Sequence, residues 1–165
     1  MTQTKKSSTG LKFSKDFLWG ASVSTHQVEG GNHNQWTVWE LETAKQRASE
    51  AQSNYSHLDC WEEIKHQASL PSNYVSGVAS DHYNRYKNDL EYVKKLNFTA
   101  LRSGIEWSRI EPEEGIFDKQ ALEHYTEYFN DLKKAGITPI LTLWHWTFPE
   151  WFAKKGGFLK RSNVK

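Results

Sequence analysis

Phe98-Thr99-Ala100-Leu101-Arg102-Ser103-Gly104-Ile105-Glu106-Trp107 alternates along its length, with Leu101, Ser103, Ile105 and Trp107 on one side and Arg102, Gly104 and Glu106 on the other. Side chains along a strand point to opposite faces in turn, so the run predicts a strand with one mostly apolar face and one charged face. Upstream, Asp81 can cap a helix in which Tyr83, Tyr86, Leu90, Val93 and Leu96 recur at steps of three and four. Downstream, Glu111-Pro112-Glu113-Glu114-Gly115 interrupts regular structure, and Asp118 can cap a second helix with Leu122, Tyr125, Phe129 and Leu132 inward, closed by Gly136. Thr138 to Trp146, dense in Ile, Leu, Thr and Trp, reads as the next strand, with a short turn of helix around Glu150 to Lys155. Asp16 to Val23 reads as the first strand. Between it and Asp81, the stretch from Gly30 to Ser80 is polar and turn-rich and reads as an elaborated loop with one short helix around Thr37 to Ala44. Loops of that length usually serve function. Strands separated by helices belong to a parallel sheet, because parallel neighbours need crossover connections, so the fold class is α/β. A charged strand face suits a barrel whose interior leads to a site better than it suits the dry interior of a doubly wound sheet.

Lys and Arg total 21 against 20 acidic residues, a formal charge of +1, which supplies no long-range field for gathering phosphates or anionic lipid. A nucleic-acid partner is therefore not expected. Residues 1–15, polar through Gly10, read as a flexible N-terminal segment ahead of a domain occupying 16–165. No apolar run suits a signal peptide or a membrane span, so the chain reads as cytoplasmic and without a membrane partner. Cys60 stands alone, which excludes an intrachain disulfide and a cysteine metal pair, and neither metal nor cofactor is expected. The eight tryptophans are either core anchors or flat faces for stacking sugar rings or bases, a choice their positions must decide.

Phe17-Leu-Trp-Gly-Ala-Ser-Val-Ser-Thr-His-Gln-Val-Glu-Gly-Gly31 resembles the N-terminal signature of glycoside hydrolase family 1, the β-glucosidase and β-galactosidase group. Asp81-His82-Tyr83 with Tyr86-Lys87, Leu101-Arg102 through Trp107-Ser108-Arg109-Ile110, and Leu143-Trp144-His145-Trp146 resemble the same family in the same order. The resemblance implies a partial (β/α)8 TIM barrel comprising about the first three β/α units, and a small-molecule β-glycoside or oligosaccharide as ligand. By the same resemblance Gln27 would bind hydroxyls of the terminal sugar, a task suited to an amide that both donates and accepts. His145 would contact a sugar hydroxyl, Trp146 would help wall the same subsite, and Arg102 would support the active site from the inner strand face. A fixed guanidinium there stabilises an ionised carboxylate nucleophile. Glu29 would hold its loop in place.

A retaining glycosidase needs two convergent carboxyl groups roughly 5–5.5 Å apart. In the family these lie in Asn-Glu-Pro and Glu-Asn-Gly motifs, and neither tripeptide occurs here, so no catalytic residue is assigned within this chain. Glu106 reads as a salt-bridge partner for Arg102 or Arg109 rather than a substitute acid. The expectation is thus the sugar-binding N-terminal part of a β-glycosidase, inactive alone and complemented by a missing C-terminal portion. The alternatives are a non-catalytic sugar-binding or interaction module, or half of a split enzyme.

Overall fold

Three short parallel strands carry the fold in the computed structural model, which describes residues 10 and 12–164. The described elements are β1 (Gly20–Ser22), α1 (Thr25–Val28), α2 (Gln35–Ser49), α3 (Ala51–Tyr55), α4 (Trp61–Ala68), α5 (His82–Lys95), β2 (Ala100–Gly104), α6 (Trp107–Ile110), α7 (Lys119–Lys134), β3 (Thr138–Thr142) and α8 (Glu150–Lys154), with 3-10 turns at Pro71–Tyr74, Gly157–Leu159 and Arg161–Asn163. Most of the expected flexible segment 1–15 lies outside the described residues; Phe13, which is described, packs its ring 4.5 Å from Phe17 and 4.7 Å from Trp19. No helix among the described residues is long and apolar enough to cross a membrane.

The sheet order is β1-β2-β3, all parallel, with Ser22 beside Arg102 and Arg102 beside Ile140. Because strand side chains alternate, Leu101 and Arg102 serve opposite faces. Leu101 joins Tyr86 and Leu90 of α5, Tyr128 and Leu132 of α7, and Ile137 in one buried cluster. The two helices thus cover one face of the sheet, and the Arg102 face is the concave side of an arc that a (β/α)8 barrel closes with eight strands. Gly20 makes the arc tight, since a Cβ there would stand 2.3 Å from the Ala100 carbonyl oxygen. Among the described residues nothing pairs with either sheet edge: β1 is exposed throughout, and Ile140, Leu141 and the following Leu143 are 46%, 47% and 69% exposed. Parallel strands are ordinarily covered on both faces, so this exposed apolar rim is unusual for such a sheet.

The predicted helices stand, with shifts in what they bury. Asp118 caps α7 through its carboxylate, which accepts from the amides of Gln120 and Ala121 at 2.8 and 3.1 Å. Gly136, at φ +75°, ends it. Ala121 and Tyr128 are buried whereas Leu122 is exposed, so the inward stripe is rotated from the expected one; on α5, Leu96 is likewise exposed. Asp81 precedes α5 in a left-handed conformation without a side-chain cap. Asp118→Ala is expected to lower stability by about 1 kcal/mol in urea unfolding, the usual worth of a cap.

The predicted loop 30–80 is largely helical. Asn34 begins α2 with a reciprocal cap: its side chain accepts from the amides of Trp36 and Thr37, and its own amide donates to the Thr37 hydroxyl. The inward face of α2 and α3 is Ala44, Ala48 and Ala51, while Trp36 and Trp39 face outward at 41% and 50% exposure. The expected strand 98–107 ends at Gly104, and the alternation beyond it continues into α6.

Candidate active-site mouth

The loops after β1, β2 and β3 meet over a buried polar network centred on Glu106. This carboxylate is fully buried and accepts hydrogen bonds from Thr25 Oγ1 (3.0 Å), Thr147 Oγ1 (3.1 Å), Ser108 Oγ (2.9 Å) and Asn34 Nδ2 (3.3 Å). One donor thus comes from α1, just after β1, one from the loop beyond β3, one from α6 and one from the α2 cap. The expected ion pair of Glu106 with Arg102 or Arg109 does not form. Arg109 instead pairs with Glu29 at 3.1 Å, bonds the side chain of Asn32 and the Gly30 carbonyl, and lies 4.0 Å above the Tyr83 ring. Neutral hydroxyl and amide donors suffice for Glu106, which leaves both arginines to other partners.

Glu29 does hold its loop. It is 3% exposed and takes a hydrogen bond from the Tyr125 hydroxyl, at 3.0 and 2.9 Å to its two oxygens. Burial pushes its carboxyl up to about 7 from 4.5, outweighing the opposing pull of Arg109 and the Tyr125 hydrogen bond. Burial, reinforced by the neighbouring Glu29 charge, likewise raises the Tyr125 phenol, so it stays a donor. The same hydroxyl accepts from the Glu106 amide at 3.0 Å, tying α7 to both loops. Gly30 follows at φ +75°, where a Cβ would collide with the Val78 carbonyl.

Asn34 extends the network, its Nδ2 lying 3.2 Å from His26 Nδ1, while His26 Nε2 lies 3.0 Å from Glu40 Oε1. Glu40 Oε2 takes the amide and hydroxyl of Ser76 at 2.9 and 2.7 Å. These bonds fix the turn on which Gln27 sits, exposed beside the buried His26. Gln27 lines a hollow of about 880 Å³ with His26, Gln35, Trp36, Trp39, Glu40, Arg47 and Ser76.

Trp146 lines a neighbouring hollow of about 540 Å³, together with Trp144, Phe148 and Phe158. Gln35 and Trp36 line both hollows and so form the ridge between Gln27 and Trp146. Trp146 is 64% exposed at φ +74°, a left-handed conformation rare for a bulky side chain. Gln35 holds it there: its Nε2 donates to the Trp146 carbonyl at 3.0 Å and its Oε1 accepts from the Phe148 amide at 2.7 Å. His145 is half-buried and lines neither hollow. Arg102 stands apart on the concave sheet face, where its Nε donates to Thr142 Oγ1 at 2.7 Å. It lines a shallow hollow of about 390 Å³ with Gly20, Ser22 and Ile140. Among the described residues no carboxylate lies within ion-pair distance of it, and no group of three His, Cys, Asp or Glu side chains could hold a metal ion.

Asn34, Gln35 and Trp36 carry no motif that marks them in the sequence. Asn34 has a cap-forming side chain, a legible signal; the Gln35 clamp spans more than a hundred residues and leaves no local trace.

β-Glucosidase A of Thermotoga maritima is 32% identical over 152 residues, covering 91% of this chain and 30% of that protein. The β-glycosidase structure from Pyrococcus horikoshii superposes with a TM-score of 0.73 at 36% identity, covering 93% of this chain and 30% of that one. A Thermotoga maritima β-glucosidase solved in complex with glucoimidazole gives 0.68 at 30% identity, covering 92% and 30%. The chain thus spans about 30% of the length of the relatives it matches. With three barrel strands in place and the model of glycosyl hydrolase family 1 matched across residues 10–165, the chain belongs to that family.

Proposed function

We propose that this chain is the sugar-binding N-terminal portion of a retaining β-glycosidase, acting in hydrolysis of O-glycosyl bonds, with both catalytic carboxylates supplied by sequence outside it. In this reading Gln27 and His145 bind hydroxyls of the terminal sugar, Trp146 walls the subsite and Arg102 supports the nucleophile. The observation that carries it is the shared ridge: Gln35 and Trp36 border both the Gln27 hollow and the Trp146 hollow, and Gln35 clamps the loop bearing Trp146. Arg102 adds support, since a concave-face guanidinium without a carboxylate neighbour among the described residues suits a partner brought by further strands. Glu106 is out of reach of a substrate, being fully buried with its two oxygens engaged by four donors. The open edges at β1 and β3 favour assembly with a complementary portion over a self-sufficient binding module.

Glucoimidazole, bound in the related Thermotoga maritima enzyme, is the suitable probe. The chain is expected to release no chromophore from an aryl β-glucoside, and to bind glucoimidazole, read as a change in tryptophan fluorescence, more tightly once the complementary portion is supplied. Gln27→Ala and Trp146→Ala should each weaken binding about tenfold, the loss expected of one well-made contact. Binding unaffected by both substitutions, or turnover abolished by Glu106→Gln, would overturn the reading.

A further inference from the structure

We propose that the hollow lined by Gln27 extends recognition past the terminal sugar, with Arg47 at its lining binding a carboxylate carried by the next part of a β-glycoside. This deepens the sugar-binding reading above and rests on it. The Arg47 guanidinium lies over two rings, 4.9 Å from the centre of Trp39 and 4.7 Å from that of Tyr74. Aromatic faces fix the guanidinium plane and attract its charge, yet accept none of its N–H bonds in plane. No carboxylate among the described residues lies within ion-pair distance of it. Glu40, the acid that lines the same hollow, is committed through Oε1 to His26 and through Oε2 to the Ser76 amide and hydroxyl. Although burial alone would raise it, the two Ser76 bonds and His26 keep the Glu40 carboxyl below its ordinary value.

Contact with two rings occupies faces of the guanidinium and leaves its forked edge for a ligand. That edge matches a planar carboxylate through two parallel hydrogen bonds, a geometry an ammonium cannot reproduce. The rest of the hollow suits an extended neutral body: Trp36 and Trp39 offer exposed faces, and Gln27 stands at the same wall. At about 880 Å³ it falls within the usual span of small-ligand sites. The ligand class is therefore a β-glycoside whose leaving group, an aromatic acid or a uronic acid residue, carries a carboxylate.

Calorimetric titration of the chain with para-carboxyphenyl β-glucoside and with its neutral counterpart, para-carbamoylphenyl β-glucoside, isolates the charge at nearly constant shape. At low salt the carboxylate is expected to bind about tenfold more tightly, the preference shrinking as salt is added. In Arg47→Gln the two affinities should converge, and Arg47→Lys should keep only part of the preference, with matching circular dichroism spectra showing that the variants fold. Equal affinities in the unaltered chain, or a preference surviving in Arg47→Gln, would overturn the assignment to Arg47 and leave the sugar-binding reading standing. Failure of both glucosides to bind would sink that reading, and this one with it.

Discussion

Replacing Glu106 by alanine is expected to lower stability by about 3–5 kcal/mol, enough to abolish a cooperative transition in a chain of this size. The carboxylate is fully buried and satisfies four donors drawn from four segments: Thr25, Asn34, Ser108 and Thr147. Alanine leaves a void and strands these donors, each costing about 1–3 kcal/mol if nothing replaces the carboxylate, with relaxation of the hydroxyls recovering part. Glu106→Gln should cost less, about 1–2 kcal/mol. Its amide oxygen can keep Asn34 and Ser108, and its amide nitrogen can donate to the Thr25 and Thr147 hydroxyls, which accept as readily as they donate. Urea unfolding followed by tryptophan fluorescence decides the matter. An alanine variant within 1 kcal/mol of the unaltered chain would show that the network does not hold the three loops together.

The contrast between Glu106 and its sequence reading shows where residue pattern stops informing. The β-α-β rhythm was legible because Tyr86, Leu90, Tyr125 and Leu132 recur at helical spacing and do bury. Asp118 and Gly136 marked the ends of α7 because capping is decided within a few residues. The segment 30–80 misled because its helices bury alanines at 44, 48 and 51 and point Trp36 and Trp39 outward, reversing the usual sign of an apolar stripe. Beyond Gly104 the alternation persisted by coincidence, and Glu106 was assigned a strand face it does not share. Its partners lie up to 81 residues away, and local pattern cannot choose between a distant arginine and four distant neutral donors. The family signature exposed Gln27, His145 and Trp146 as candidates. The Gln35 clamp that sets Trp146, and the two aromatic rings beside Arg47, come together only when α2 folds against the loops.

The second large effect is a dependence of stability on pH through Glu29. Its carboxyl rises from 4.5 to about 7 in the folded chain, mainly because burial removes the solvation its charge needs. Between these values the folded state binds the proton that the unfolded state has released, so stability falls as pH rises. The contribution is full below pH 4.5 and exhausted just above pH 7, a span equivalent to about 3 kcal/mol. Other carboxyls act in the opposite sense: Ser76 and His26 hold Glu40 down against the effect of burial, and its contribution is lost as pH falls. The clean measurement is therefore a difference. Between pH 5 and pH 8 the unaltered chain should lose about 2–3 kcal/mol of unfolding free energy relative to Glu29→Gln, which cannot titrate but keeps an oxygen for Tyr125 and Arg109. A difference that is flat across this range, or that grows in favour of the unaltered chain at high pH, would mean that Arg109 and Tyr125 overcome the burial of the charge after all.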